Sequence, residues 1–414
     1  MRKIDVGRTV AIRTRVLLAL FTTILAATTA ACTQAVAGHP EPGMTPVALD
    51  RLDVGLFPTE PTDFTMKIDS AADVYSLESR RILGYLVSPY EADPDLRYLW
   101  ETNLLWGSHL LGSDFDGGTG PLPEEFKPVS DKNFLIAGAA TARWNNSARN
   151  EKRTAIAVMS FPNPDSARAA AAEYSRATDT EVPGREMLNL PGYADTYAAL
   201  MPSRDNGQLV AASGSFVVYV SITAPAEQSG QMTGRMTKIL DLQLDALRGL
   251  TATPPDDILD LPTDPDGILS TTLPSEYLGN AAFTGLVGAY SPTAYLNIEL
   301  DAAAVHDYSP YGVDLVARNE ATVYRTAGAK EAFALQTALT RAGRYDDVIA
   351  GPPGITDARC LHREVSNTTH DSFYCVVVYD RFVASIDYHG IGKLPAPELY
   401  QATAAQYSIL ANSR

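Results

Sequence analysis

The chain has 414 residues, 45% of them hydrophobic, with 49 acidic against 33 basic side chains and a formal net charge of −16 at pH 7. That length and composition suit two or three globular domains with sizeable cores. The acidic balance and the lack of a clustered Lys/Arg run exclude the counterion-release footprint of a nucleic-acid binder, and anionic lipid headgroups would repel the body too.

The N-terminus carries an address. Arg2, Lys3, Arg8, Arg13 and Arg15 precede an apolar run, Val16–Ala27, which ends in Thr29-Ala30-Ala31-Cys32. A basic n-region, an apolar core and a small-residue site with cysteine at +1 read as a lipoprotein signal peptide over residues 1–31. The core is shorter than the roughly 20 residues that span a bilayer, so cleavage is expected over an uncleaved anchor. Cys32 is then the lipidation site, and a palmitate-type second chain makes anchoring stable. An unmodified secreted form is the alternative. Cleavage leaves 28 Lys+Arg against 48 Asp+Glu, a charge of −20. The anchor, and not surface charge, must therefore hold the body at the extracytoplasmic face of the cell membrane.

Residues 32–48, rich in Pro and Gly, read as a tether. Residues 49–250 are expected to form an N-terminal α+β domain, with a helix over 71–86 and an aromatic segment, Tyr98–Trp106, packed onto it. A Pro/Asp-rich linker over 251–267 follows, and 268–414 form a C-terminal α+β domain.

The same order of elements recurs on both sides of the linker. The first copy opens with Ala148-Arg149-Asn150-Glu151, a strand over 154–161 and an Ala-rich helix over 164–176. The second opens with Ala317-Arg318-Asn319-Glu320, a strand over 321–326 and a helix over 329–341. Pro-Gly-x-x-Asp follows each helix, at Pro191–Asp195 and Pro353–Asp357. Further strands and a closing helix complete a β-α-β-β-β-α pattern in each copy. Antiparallel sheets covered on one face by two helices are the expected module, and residues 49–147 have no evident second copy. Chance likeness of two generic α+β segments is the alternative.

In the second copy Cys360 and Cys375 lie on two predicted strands, 357–364 and 372–379, joined by a polar turn at Ser366–Thr369. Closure there would set the two cysteines opposite one another, and a disulfide is the natural reading outside the cytoplasm.

The signal segment with Cys32, the short tether, the stretch Leu52-Asp53-Val54-Gly55-Leu56-Phe57-Pro58-Thr59-Glu60-Pro61 and the duplicated body resemble an uncharacterised actinobacterial lipoprotein family of nocardial and mycobacterial envelopes. The resemblance spans nearly the whole chain. It implies an envelope location and carries no catalytic residue across.

Chemistry-bearing motifs are sparse. No Gly-x-Ser-x-Gly, His-Glu-x-x-His, Cys-x-x-Cys, Gly-x-Gly-x-x-Gly or Walker loop occurs, so no catalytic residue, cofactor or metal is assigned. Asp114-Phe115-Asp116-Gly117-Gly118 with Glu125 resembles a calcium loop only in part, because Gly118 and Thr119 occupy positions that need an oxygen ligand and a glycine. His362, His370 and His389 invite a metal, but their spacing argues against convergence. Tyr85, Tyr90, Tyr98, Trp100 and Trp106 suit a sugar or apolar-ligand platform, or core packing with hydroxyls at the rim. The expectation is a non-catalytic binding or scaffolding protein with an inter-module cleft, its partner an envelope lipid, glycan or protein. The alternatives are an extracytoplasmic hydrolase with a site assembled from distant residues, and a carrier of an apolar ligand.

Overall fold

Two seven-stranded antiparallel sheets with one and the same strand order make up the body. The computed structural model describes residues 44–413 apart from 67, 108–121, 194, 275–285, 304, 306, 345, 364–370 and 391–393. The first sheet comprises β1 (Tyr98–Trp106), β2 (Ala137–Trp144), β3 (Arg153–Ser160), β4 (Glu186–Leu188), β5 (Thr196–Leu200), β6 (Asn206–Ser213) and β7 (Phe216–Thr223). The second comprises β8 (Gly288–Tyr290), β9 (Leu315–Arg318), β10 (Ala321–Arg325), β11 (Asp347–Ile349), β12 (Arg359–Arg363), β13 (Asp371–Tyr379) and β14 (Phe382–Gly390). The orders are β1-β2-β3-β7-β6-β5-β4 and β8-β9-β10-β14-β13-β12-β11.

The helices are α1 (Ala71–Leu83), α2 (Pro89–Ala92), α3 (Phe126–Lys132), α4 (Pro164–Glu181), α5 (Met232–Leu247), α6 (Pro292–Leu296), α7 (Ala329–Leu339) and α8 (Pro397–Asn412). Among the described residues no helix is long and apolar enough to cross a membrane. Local chemistry sets their starts. The Ser70 amide donates to Asp73 Oδ2 at 2.9 Å ahead of α1, and Asn163 Oδ1 accepts from the Ser166 amide at 2.9 Å ahead of α4. Both satisfy donors that a helix N-terminus leaves open.

The duplication is larger than the sequence suggests. Strands β1 and β2, which lack an evident copy in the sequence, correspond to β8 and β9. Those strands have three and four residues, too few to show a period of two. Register matches the copies residue by residue. Hairpin β6–β7 closes at Ser213↔Phe216 and β13–β14 at Tyr379↔Phe382, while β3 and β10 dock at Ser160↔Phe216 and Arg325↔Phe382. The two hairpin turns carry Gly214 at φ 57° and Asp380 at φ 52°, and the two Pro-Gly words carry Gly192 at φ 92° and Gly354 at φ 91°. The Ala-Arg-Asn-Glu words, by contrast, are out of register. Ala317 and Arg318 end strand β9, whereas residues 148–151 lie in the longer β2–β3 connection.

A buried glutamine repeats as well. In α5, Gln243 receives the Val87 amide at 3.0 Å and donates to the Tyr85 carbonyl at 2.8 Å. In α8, Gln406 receives the Leu273 amide and donates to the Thr271 carbonyl, both at 2.7 Å. Each glutamine satisfies the backbone of a segment that feeds its own sheet.

The helices do not share one face, as expected from sequence, but take opposite faces of each sheet. In the first sheet Ile156, Val158, Val218 and Val220 pack with Met236 and Leu240 of α5, while Ala157, Met159, Val217 and Tyr219 pack with Ala167, Ala170 and Tyr174 of α4. In the second, Tyr324, Val376 and Val378 pack with Leu335 and Leu339 of α7, while Val323, Val377 and Ala384 pack with Ala404 and Tyr407 of α8. Alternation along each strand exposes two apolar faces, and each needs its own cover. The α5 face of the first sheet and the α7 face of the second belong to one continuous central core.

A second correction concerns the chain before α1. The sequence reading divides it between a tether to residue 48 and the N-terminal domain from 49. Its docked residues lie on the second module instead. Val47, Leu49, Leu52, Val54 and Phe64 pack against the core around Val323 and Tyr407. Thr45 donates to Asp357 through its amide at 2.6 Å and its hydroxyl at 2.8 Å, and Gln401 donates to Asp53 at 3.1 Å.

Cys360 and Cys375 are direct partners across β12–β13 and form a disulfide. The turn expected at 366–369 lies outside the described residues.

Candidate functional site

The α1 helix, residues 62–66, residues 261–274 and β8 line an open cleft of about 1080 Å³ between the two modules. Leu77, Tyr85, Trp106, Leu269 and Leu315 give it apolar walls. Arg80 of α1 enters among them because residue 288 is glycine: a Cβ there would lie 2.8 Å from Arg80 Nε. Arg80 Nη1 donates to Ser76 Oγ at 3.0 Å. Its Nε is buried with no hydrogen bond, and it forms no ion pair among the described residues. The next residue behaves differently. Arg81 donates to both Glu78 oxygens at 2.8 and 2.7 Å, and the hydrogen bonds to Glu78 hold its guanidinium pKa above the ordinary value.

A second pocket of about 50 Å³ adjoins the cleft at Val287 and Asn319. Its walls carry Glu299, Glu320, Arg318, Arg363, Asp387 and the tyrosines 295, 324 and 374. Register explains the convergence. Arg318 pairs with Thr322, Tyr374 with Asp387, and Arg363 with Ser372, which faces His389, so these side chains leave the sheet on its inner face. The Arg363 guanidinium lies 3.8 Å from the Tyr374 ring centre, and its Nη1 is 4.0 Å from Asp387 Oδ1. That oxygen is buried and accepts no hydrogen bond among the described residues. Glu299 Oε2 accepts from the hydroxyls of Tyr308 at 3.3 Å and Tyr324 at 3.4 Å.

Burial pushes the Glu299 carboxyl above the usual range; the field of Asp387 acts in the same direction, and Arg363, Arg143 and Arg318 oppose it. Burial also raises Tyr308 and Tyr324 well above the ordinary phenol value, which keeps them as donors. Desolvation works against the Arg318 and Arg363 charges, but neighbouring tyrosines and carboxylates outweigh it, and both remain cations.

The first module holds the wall carrying Glu299. Arg143 of β2 is fully buried and donates to the carbonyls of Arg97 at 3.0 Å, Leu296 at 2.7 Å and Glu299 at 2.6 Å. Burial lowers its pKa to about 10. Nearby, Arg97 forms a two-pronged pair with Asp301, and Asn297 donates to the Leu86 carbonyl at 2.7 Å.

The duplication supplies an internal comparison. In register, Arg318 corresponds to Ala140, Thr322 to Ala157, Tyr324 to Met159, Arg363 to Met201, Tyr374 to Gln208 and Asp387 to Ser221. In the first copy this face is filled by Phe126, Tyr174 and Tyr219, whose rings pack 4.3 and 5.2 Å from Phe126. The same fold is thus completed with uncharged side chains in one copy and with charges in the other. Half-buried charges gathered where the other copy has neutral residues make this pocket a candidate functional site.

Of the residues singled out in the sequence, Cys32, the Asp114–Gly118 loop and His370 lie outside the described residues. Glu125 immediately precedes α3. His362 stacks on Phe373 at 4.8 Å on the outer face, while His389 projects on the inner face, so these two do not converge. Among the described residues no cluster of metal-ligating side chains occurs. Tyr85 and Trp106 line the cleft, whereas Tyr98 lines a separate polar groove and Trp100 packs edge-on against Trp144 at 4.9 Å. Sequence reasoning missed Arg80, Glu299, Arg363 and Asp387. For Arg363 and Asp387 the signal is charge at inward strand positions of the second copy where the first is neutral, and it emerges only once register is known; Arg80 on α1 and Glu299 in the loop after α6 carry no such signal.

The family described as "Domain of unknown function (DUF7373) N-terminal" matches residues 65–263, and its C-terminal counterpart matches residues 268–413. No curated protein matches the chain. Among solved structures, the extracellular domain of PknH from Mycobacterium tuberculosis is similar at 12% identity and a TM-score of 0.27, over 44% of this chain and 99% of that one.

Proposed function

For a chain that belongs to the DUF7373 family along both of its halves, we propose a non-catalytic binding protein, lipid-anchored through Cys32 at the extracytoplasmic face of the cell membrane, whose inter-module cleft takes an amphipathic envelope ligand. One observation carries the ligand reading: a cleft of about 1080 Å³ has largely apolar walls and one guanidinium, that of Arg80, without a carboxylate partner among the described residues. Apolar walls with a few placed polar groups are the usual make-up of a ligand site. An acyl-type body with an anionic group satisfies both parts. The signal segment supports the location, and the Cys360–Cys375 disulfide suits an oxidising compartment.

Trp106 in the cleft wall gives a direct readout. Titration with anionic phospholipid is expected to change its fluorescence, with Arg80→Gln weakening binding about tenfold, the equivalent of 1.4 kcal/mol. An unchanged signal with every lipid and glycan class, or undiminished binding by Arg80→Gln, refutes the ligand reading. For the anchor, Cys32→Ser is expected to move the protein from the membrane to the soluble fraction.

The second reading, a hydrolase, draws on the raised Glu299 carboxyl beside Asp387. The pocket holding them is far smaller than the cleft, about 50 Å³ against about 1080 Å³, which suits a glycan or acyl chain at the carboxylates poorly. Binding is therefore the reading the geometry supports best. Turnover of an ester or glycoside that Glu299→Gln abolishes would reverse that order.

A further inference from the structure

We propose that the charged pocket beside the cleft is a separate site for a small zwitterion, an α-amino acid the size of glycine or alanine. The proposal does not rest on the cleft's ligand. Its walls present two guanidinium groups, Arg318 and Arg363, and three carboxylates, Glu299, Glu320 and Asp387, around one space. A simple anion would meet both arginines but also the carboxylates, and a simple cation faces the reverse conflict. A molecule carrying an ammonium and a carboxylate on one carbon meets each sign with its opposite and lowers the cost of crowding these half-buried groups together.

Three observations support this occupant. The first is the spacing of Arg363 Nη1 and Asp387 Oδ1. They stand 4.0 Å apart, at the outer limit of an ion pair, and Asp387 Oδ1 is buried without a hydrogen bond among the described residues. A bridging ligand with a donor and an acceptor closes such a gap. The second is size. By the same measure the pocket is far smaller than the cleft, about 50 Å³ against about 1080 Å³, which favours a small occupant over a lipid or glycan. The third is the internal comparison. The positions of Arg318, Arg363 and Asp387 are Ala140, Met201 and Ser221 in the first copy, where the same face is filled by side chains. The fold therefore does not need these charges.

Tyr308 and Tyr324 hold Glu299 in place by donating to its Oε2. The tyrosine hydroxyls and Ser385 supply further neutral partners around the pocket. Access runs from the cleft at Val287 and Asn319, and exposed His389 marks another part of the rim.

The test uses the mature chain and four probes: glycine, L-alanine, acetate and methylammonium, followed by thermal shift and calorimetry. Glycine and alanine are expected to raise Tm with concentration and to bind at least tenfold tighter than acetate or methylammonium. N-acetylglycine and glycine methyl ester, each lacking one charge, should lose the same factor. Arg363→Met and Asp387→Ser place the first copy's residues in the second and should abolish the glycine response. The proposal is overturned if glycine gives no response, if acetate or methylammonium alone matches it, or if the charge-blocked analogues bind equally well. The analogue comparison stands even if either variant fails to fold.

Discussion

Arg143 Nη2, on strand β2 of the first module, donates at 2.6 Å to the carbonyl oxygen of Glu299, whose side chain walls the charged pocket of the second, across 156 positions of sequence. One buried cation of the first module thus holds the second-module segment after α6 that presents Glu299. Two further carbonyls, of Arg97 and Leu296, accept from the same guanidinium, and that of Arg97 also accepts from the Ala302 amide at 2.9 Å.

Arg143→Met should leave the Leu296 and Glu299 carbonyls without their donor inside the protein and the Arg97 carbonyl with the Ala302 amide alone. Breaking a buried charged network of this kind costs about 3–5 kcal/mol. Urea unfolding is expected to show that loss, and a midpoint within error of the parent would show that the segment is held by other contacts.

Glu299 sets a pH dependence. Its folded pKa is raised above the ordinary carboxylate value, so the folded state holds this proton more tightly than the unfolded chain does. The resulting penalty is absent below the unfolded pKa, near 4.3 for glutamate, and grows as pH rises through the folded pKa. Glu299→Gln removes the titration while keeping the size and an acceptor for Tyr308 and Tyr324. The variant is expected to gain stability relative to the parent at pH 7, with the difference shrinking toward pH 4. A difference independent of pH would assign the effect to packing.

The disulfide closes a loop with a sequence separation of 15, for which the chain-entropy model gives about 3 kcal/mol. The first copy shows what replaces it, since Ala198 and Leu209 are the paired residues at the corresponding positions. Cys360→Ala combined with Cys375→Leu should therefore fold, lose up to that amount, and show a Tm that no longer responds to reductant. Failure to fold would mean that the second module depends on the cross-link for more than loop closure.

Gly138 sits in β2 with both neighbouring strands close by. A Cβ there would lie 2.7 Å from the Val158 carbonyl oxygen and 3.2 Å from Met159 Cα, backbone atoms that cannot rotate away. Gly138→Ala is expected to cost about 1–3 kcal/mol by overpacking. Gly230→Ala, which meets nothing within 4 Å, should stay within about 0.5 kcal/mol of the parent. Equal effects in thermal melts would contradict the packing argument.

Several features were legible in the residues because they are local. The Ala-rich stretch after Asn163 yields α4, the Pro-Gly-x-x-Asp words yield matching turns at Gly192 and Gly354, and the spacing of Cys360 and Cys375 anticipates partners across a hairpin. The Ala-Arg-Asn-Glu words misled, because a longer β2–β3 connection moves one of them out of register. The two-face arrangement was hidden for a different reason: alternation says that a strand has two faces, but not which helix covers each.

By itself the sequence determined the acidic character of the chain, the α+β class and the presence of two related copies, because composition, hydrophobic runs and element order are properties of neighbouring residues. Only the tertiary structure decided that Arg80 enters an apolar cleft beside Gly288, and that Glu299, Arg318, Arg363 and Asp387 meet in one pocket. Those groups come from four separate segments. Strand register and long-range hydrogen bonds such as that from Arg143 bring them together, and both arise from packing between elements, which no local pattern of residues encodes.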